Sequence, residues 1–191
     1  MALPTLYIDT GGHAQGSGST DSGTPIVSNT SGAAVTGTTV TLTGVDLSGV
    51  AADGSQTIFI NDATNTNTKI FKITAVDDTL DTVTVAVAPT GTIANSAWGI
   101  GGRFVYDSAR FEAALAAGWT VVINNSPASK AVDFLTLRAA GNSTDGFITV
   151  RGASGGRPQL VVTNTNQVIE ASAGLWWIEN LEFVQQGASG V

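Results

Sequence analysis

Thiols are absent from this chain and imidazoles are nearly so, because it has no cysteine and one histidine, His13, among 191 residues. Without thiols the chain can form neither a disulfide nor a thiolate metal site, and a lone imidazole does not make a zinc site. The nearby Gly11, Gly12, Gly16 and Gly18 are not followed by the strand-to-helix step and lysine of a phosphate-binding loop. We therefore interpret His13 as a loop residue and predict no metal and no cofactor.

Basic residues are also scarce, since 8 Lys and Arg stand against 15 Asp and Glu and give a net charge of −7. The basic residues are scattered singly, so the sequence predicts no nucleic-acid partner and no binding to an acidic membrane surface. No run approaches the roughly 18 apolar residues of a membrane-spanning helix. The first residues lack the basic start and apolar run of a signal peptide. We expect a soluble product made in the cytoplasm.

The residues that are abundant favour an all-β fold, because the chain is 42% apolar and only 12% charged. Between residues 33 and 102, apolar side chains alternate with Thr, Lys or Asn, as in Val40 and Leu42 or in Val83 and Val85. This period of two predicts half-buried antiparallel strands. We interpret 33–102 as a small antiparallel β domain.

One part of this β domain, residues 70–87, is predicted to form a hairpin with a polar loop. The loop contains Asp77, Asp78 and Asp81. These lack the ligand density and glycine placement of a calcium loop, so we interpret them as ordinary turn residues. Trp98, in the glycine-rich corner 96–103, is predicted to be a buried anchor.

Residues 1–32 are interpreted as an N-terminal arm with an attachment role. One apolar strand candidate, 3–8, is followed by a loop rich in Gly, Ser and Thr. Such a loop is costly to order, because glycine loses more conformational freedom than any other residue. We expect the arm to be fixed by contact with the rest of the chain or with a partner.

A single helix is predicted, at residues 108–117. Asp107 or Ser108 supplies the N-cap oxygen, Phe111 and Leu115 share one face, and Gly118 suits the left-handed stop. We predict that this helix caps the stack of strands that follows it, with Phe111 and Leu115 as the capping side chains.

The last third of the chain contains short apolar segments that recur about every 26 to 30 residues, a spacing typical of stacked repeats. TVVIN at 120–124 is followed by 147–152 and then by 177–183, while FLTLR at 134–138 is followed by 159–162. We interpret each period as one turn of a right-handed parallel β-helix. An antiparallel sandwich is the alternative, although its strands recur about every 8 to 12 residues.

The predicted fold is therefore all-β: a small antiparallel β domain, a short capping helix, and the first turns of a right-handed parallel β-helix. The domains are 1–32, 33–102 and 103–191. The final residues enter a further turn and show no polar cap, which repeat proteins need. We expect these residues to be the base of a longer polypeptide, or a partner to close the stack.

Two glutamates, Glu179 and Glu182, lie close in sequence beside a tryptophan pair. Glycoside hydrolysis needs two carboxylates about 5 to 10 Å apart, but nearby surface glutamates are far more often solvated turn residues. We therefore predict no catalytic residue and no enzymatic activity.

The tryptophan pair, Trp176 and Trp177, is the main candidate for a binding site. Neighbours on a strand point to opposite faces, so both indoles cannot lie in the core. The parity of Trp176 with Ile178 favours an outward Trp177, whereas Leu181 and its neighbours favour the opposite phase, and a bulge near 179–180 would reconcile them. An outward indole suits a glycan platform or a subunit contact, or is shielded by a loop.

The order of these features resembles that of bacteriophage virion proteins with pectin-lyase-like β-helices. The resemblance rests on the β domain, on WGIGGR at 98–103, on DSARFEAALAAGWTVV at 107–122, and on the ITVRG and LWWIENLEF segments. It covers the chain from Leu6 to the C-terminus.

The resemblance implies a structural protein located in the virion, which forms the attachment part of a spike, fibre or decoration protein. It implies a homotrimer bound to capsid or tail proteins, with a host-surface glycan as a further partner. Two alternatives stay open: a polysaccharide-depolymerising tailspike whose active site lies outside this segment, and a host-glycan-binding module.

Overall fold

The computed structural model divides the chain into two compact units. The described residues are 2–9, 11–61, 70–91, 93–105, 110–111, 114–116, 118–124, 129–132, 135–137, 141, 143–162, 169–171 and 174–185, with the backbone alone for 129–132, 135–137, 162, 169–171 and 185. The first unit comprises Met1–Tyr7 and Gly12–Val105, and the second comprises Ile8–Gly11 and Tyr106–Val191. Every element with defined bounds is a strand, so the all-β class is confirmed.

The first unit contains a closed antiparallel barrel of six strands in the order β2-β3-β6-β5-β4-β7. The strands up to the unit boundary are β1 (Thr5–Asp9), β2 (Val27–Thr36), β3 (Thr39–Leu42), β4 (Thr57–Asn61), β5 (Ile70–Asp77), β6 (Thr82–Val85), β7 (Ser96–Ile100) and β8 (Phe104–Val105).

The barrel core follows from the alternation in its strands. Val40 and Leu42 of β3 are fully buried while the threonines beside them are exposed, and Val40 lies opposite the buried Val83 of β6. Trp98 is 1% exposed, and its indole N–H donates to the Ser31 carbonyl at 3.2 Å. The antiparallel pairing and the buried Trp98 anchor are both confirmed.

The three aspartates at the turn from β5 to β6 accept hydrogen bonds from backbone N–H groups. Asp77 accepts hydrogen bonds at 3.0 Å from the backbone N–H groups of two residues of its own loop, Thr79 and Leu80. Asp78 accepts from Leu47 at 2.6 Å, and Asp81 accepts from Gly44 at 2.8 Å. These carboxylates therefore accept hydrogen bonds from backbone N–H groups that would otherwise lack a partner, both in their own loop and in a neighbouring loop. This confirms the interpretation of the segment as a hairpin with a polar loop.

The glycine-rich arm is fixed by the chain itself, along the segment after β7. The backbone N–H groups of Ser17 and Gly18 donate to the carbonyls of Gly101 and Gly102, at 3.0 and 2.7 Å. In return, the Gly101 N–H donates to Ser17 Oγ at 2.8 Å. Further along, Arg103 pairs with Asp21 of the arm at 2.6 Å. Of the two expected anchors, the rest of the chain is the one observed.

Glycine is required at this contact because the two backbones touch. A Cβ atom at Gly16 would overlap the Arg103 carbonyl, and a Cβ atom at Gly99 would overlap the Gln15 carbonyl. Glycine thus permits the hydrogen bonds that offset its own cost of ordering.

In the second unit the strands lie in three parallel sheets, which the chain visits in turn. The first sheet contains β9 (Thr120–Ile123), β12 (Ile148–Gly152) and β15 (Trp176–Glu179), the second contains β10 (Ser129–Val132), β13 (Gln159–Val162) and β16 (Glu182–Gln185), and the third contains β11 (Leu135–Leu137) and β14 (Ile169–Ala171). Because these pairings are parallel, the antiparallel sandwich is wrong for these strands.

Two details of the repeat prediction are wrong. Leu135–Leu137 pairs with Ile169–Ala171 and not with residues 159–162, which pair instead with Ser129–Val132 and Glu182–Gln185. The strand Ser129–Val132 was missed because its sequence, SKAV, has neither an apolar run nor a clear alternation.

The segment 177–183 is divided between two strands in different sheets, and a corner at Asn180 replaces the expected bulge. Asn180 has a φ of 53°, and its amide group donates to the carbonyls of Ala153 and Gly156 at 3.1 and 2.8 Å. Asn tolerates this left-handed backbone better than most residues do, and its two hydrogen bonds fix the corner.

Among the described residues, the predicted capping helix is not observed. Arg110 and Phe111 are helical, and the Ala114 N–H donates to the Arg110 carbonyl at 3.0 Å, which makes one turn. The chain then turns again, because the Trp119 N–H donates to the Ala116 carbonyl at 2.9 Å. Residues 108–109, 112–113 and 117 of the predicted helix lie outside the described residues.

We expect Gly99→Ala to lower the free energy of unfolding of the first unit by about 2 kcal/mol, because the added methyl group meets a backbone carbonyl that cannot rotate away. The matched control is Gly23→Ala, since a Cβ atom there meets nothing within 4 Å and the residue has no positive φ. Thermal unfolding of both variants checks this. Equal melting temperatures for the two variants would contradict the close contact between arm and barrel.

Candidate functional site

The candidate surface lies on the outer face of the first parallel sheet, where register fixes which side chains are neighbours. In β12, Ile148 and Val150 are fully buried, so Thr149 points to the other face. Thr149 is in register with Trp177 of β15 on one side and with Thr120 of β9 on the other. In-register parallel strands place equivalent side chains about 4.8 Å apart, so these three residues form one outward column.

Trp177 is the exposed member of the tryptophan pair, with 55% of its surface accessible, whereas Trp176 is half-buried. Trp176 therefore lies on the same face of the strand as Ile178, which is one of the two arrangements that the sequence allowed. Of the two orientations that strand parity left open, the outward Trp177 is the one observed, while its role as a glycan or subunit contact stays a prediction.

The Trp177 indole is held on two sides. Its Nε1–H donates to Glu179 Oε2 at 2.9 Å, a contact that the strand permits because residues i and i+2 share a face. Its ring packs against Phe147 with a centroid distance of 6.4 Å and an interplanar angle of 78°. Phe147, which is 50% exposed, lies immediately before β12.

These contacts shape an open groove with a volume of about 310 Å³, lined by Phe147, Thr149, Trp177 and Glu179. The groove combines two aromatic rings with a hydroxyl group and a carboxylate. Such a combination can bind a ligand that presents both an apolar face and hydrogen-bonding groups.

Sequence reasoning selected Trp177 but missed Phe147, Thr149 and Glu179 as its neighbours in a binding site. Strand parity contained part of the signal, because Phe147 and Thr149 lie an even number of residues apart and so point to the same face. The register between β12 and β15 could not be read from parity. That register brings these residues beside Trp177.

The two glutamates, Glu179 and Glu182, are separated by the corner at Asn180 and lie on strands of different sheets. Glu182 accepts a hydrogen bond from the Gln159 side chain at 2.9 Å. Each carboxylate thus has its own partner on its own sheet.

The helix-cap candidates, Phe111 and Leu115, are both buried, with 1% and 6% of their surfaces accessible. His13 lies in a turn of the arm, where Nδ1 accepts from the Gln15 backbone N–H at 3.1 Å. The loop interpretation of His13 is confirmed.

Among the described residues, no group of three or more His, Asp or Glu side chains is placed to hold a metal ion. Hydrogen bonds engage two exposed loop carboxylates: the Ser48 hydroxyl and backbone N–H lower the pKa of Asp46, and Ser55 lowers that of Asp53 in the same way. Within the described part of the chain, no helix has the length and apolar character needed to cross a bilayer.

Comparison of the chain with protein-family models, with curated proteins and with solved structures gives no match. The resemblance to phage virion proteins therefore stays a prediction. The functional proposal depends on the fold and on the surface described above.

We expect Trp177→Phe to remove the largest share of acrylamide-accessible tryptophan fluorescence, because Trp98 and Trp119 are only 1% and 8% exposed. Trp98→Phe is the control and should leave the intensity of the acrylamide-accessible fluorescence almost unchanged, because the indole that it removes is buried. Stern–Volmer quenching of the wild type and both variants measures this. If Trp177→Phe were quenched like the wild type, the outward orientation of Trp177 would be wrong.

Proposed function

We propose that this protein is a structural protein of a bacteriophage virion, in which the chain forms the N-terminal attachment part of a spike, fibre or decoration protein. The observation that carries the proposal is the in-register parallel pairing through three sheets. An antiparallel barrel precedes this stack, and these two elements, though not the predicted capping helix, follow one another in the order on which the sequence resemblance rests.

We assign the stack to a right-handed parallel β-helix, because crossovers between parallel strands of one sheet are right-handed in about 98% of cases. Each turn adds backbone hydrogen bonds to the turn before it, so the stack resists bending and unravelling in the way a shaft requires. Its function in this proposal is mechanical.

The proposal includes a cap at the start of the stack. Phe111, on the turn that begins at Arg110, and Leu115, which follows that turn, are buried and precede β9. Apolar side chains at this position shield the end of an apolar stack from water.

Attachment to capsid or tail proteins is assigned to the first unit. Near the hairpin formed by β5 and β6, the unit exposes two large apolar side chains, Leu80 and Val87, with 65% and 70% of their surfaces accessible. Both side chains are available for contact with a partner protein, and the attachment role itself comes from the sequence resemblance.

A homotrimer is the assembly we propose, because the sequence resemblance implies one. The wild-type protein at micromolar concentration should give three times the 19.4 kDa chain mass in light scattering after size exclusion. An antibody raised against the protein should label phage particles in electron micrographs. A monomeric mass together with unlabelled particles would contradict the proposal, and turnover of capsular polysaccharide would favour the depolymerase alternative.

A further inference from the structure

We propose that the groove lined by Phe147, Thr149, Trp177 and Glu179 binds an uncharged pyranose saccharide. The inference goes beyond the structural role proposed above and does not depend on it. It rests on the shape, polarity and charge of these four side chains.

Shape is the first argument. A pyranose ring has one face of C–H groups, which packs on a flat aromatic surface, and a rim of hydroxyl groups, which needs hydrogen-bond partners. Trp177 offers an exposed indole, and Phe147 supplies a second aromatic surface at 78° to it. The groove volume of about 310 Å³ lies at the small end of ligand pockets and suits one or two sugar rings.

Polarity is the second argument. A carboxylate has about four acceptor sites, and the indole N–H of Trp177 occupies one of them on Glu179. The remaining sites can accept hydrogen bonds from saccharide hydroxyl groups, and such charge-assisted bonds are roughly twice as strong as neutral ones. The Thr149 hydroxyl, which can donate or accept, lies in the same groove.

Preorganisation is the third argument. Thr149 and Trp177 are register partners across β12 and β15, and behind Thr149 the strand is anchored by the fully buried Ile148 and Val150. The bond to Glu179 further restricts the indole. A ligand therefore meets side chains already held by the strands, which reduces the entropy cost of binding.

Charge decides the class of saccharide. The groove is lined by one carboxylate, Glu179, and Arg151 is the register partner of Glu179 on the same face, so the two opposite charges lie side by side. A surface without a net local charge favours neither an acidic nor a basic saccharide, so we commit to a neutral one. An organic cation and a second copy of the chain are the competing occupants, and the test distinguishes them.

The test uses the full chain and defined probes: the methyl glycosides of glucose, galactose and mannose, maltopentaose, cellopentaose, and tetramethylammonium as the cationic probe. Protection of tryptophan fluorescence from acrylamide reports occupancy at Trp177 in the wild type, and isothermal titration calorimetry gives the affinity of the wild type and of each variant, including those that lack this indole. We expect at least one neutral saccharide to protect the wild type. Trp177→Ala should weaken its apparent affinity at least about tenfold, which corresponds to about 1.4 kcal/mol.

Three further variants make the result specific. Trp177→Phe keeps an aromatic surface and should lose less affinity for the saccharide than Trp177→Ala does. Glu179→Gln, which keeps an acceptor oxygen but loses the charge, should weaken saccharide binding by about tenfold or less. Thr41→Ala, a control at an exposed residue of β3 in the other unit, should bind like the wild type.

Several outcomes would overturn the inference. It is wrong if no neutral saccharide protects the wild type up to the solubility limit, or if Trp177→Ala binds as the wild type does. Binding of tetramethylammonium alone, abolished by Glu179→Gln, would assign the groove to an organic cation. If the Trp177→Ala variant had a lower oligomeric mass and the wild type bound no saccharide, Trp177 would be assigned to a subunit contact. A wild type that is monomeric and still binds saccharide would contradict only the proposed assembly.

Discussion

Register between parallel strands is the constraint on which the second unit depends. The strand Ile148–Gly152 is paired on both edges: the Thr149 N–H donates to the Trp119 carbonyl at 2.9 Å, and the Ile148 N–H donates to the Leu175 carbonyl at 3.0 Å. Because the side-chain period is two, a shift of one residue would turn Val150 outward and Thr149 inward. Burial of Ile148 and Val150 therefore fixes both the core and the outward column that contains Trp177.

Backbone hydrogen bonds also order part of the first unit. The glycine-rich loop that follows β1 has few apolar side chains, so it is held mainly by backbone hydrogen bonds to the segment after β7, and glycine allows the two backbones to approach. In both units, then, backbone pairing orders sequence that side-chain packing alone would leave unspecified. The apolar core of the barrel supplies the rigid support against which the arm is bonded.

Local patterns in the sequence predicted much of this fold, but pairing partners were harder to predict. Alternation identified four of the six barrel strands, β3 to β6, but neither β2 nor β7, which was interpreted as a glycine-rich corner. The recurrence of 120–124, 147–152 and 177–183 predicted parallel stacking. Ser129–Val132 was missed, and Leu135–Leu137 was paired with the wrong strand, because spacing along the chain does not say which sheet a short strand joins. The corner at Asn180 shows the same limit, since its two hydrogen bonds are to residues 24 and 27 positions earlier. For the candidate site, parity required one tryptophan of the pair to point outward but left open which one, and the contact of Trp177 with Phe147 depends on register between distant strands.

The most direct test of the account exploits the absence of native cysteine. Thr120 and Thr149 are in register, and a Cα separation of about 4.8 Å lies within the range for a disulfide. The double variant Thr120→Cys/Thr149→Cys should form an intramolecular disulfide on mild oxidation, seen by non-reducing electrophoresis and peptide mapping. The control Thr120→Cys/Arg151→Cys, two residues out of register at roughly 8 Å, should not. Equal cross-linking of both pairs, or cross-linking of the control alone, would contradict the in-register parallel stack.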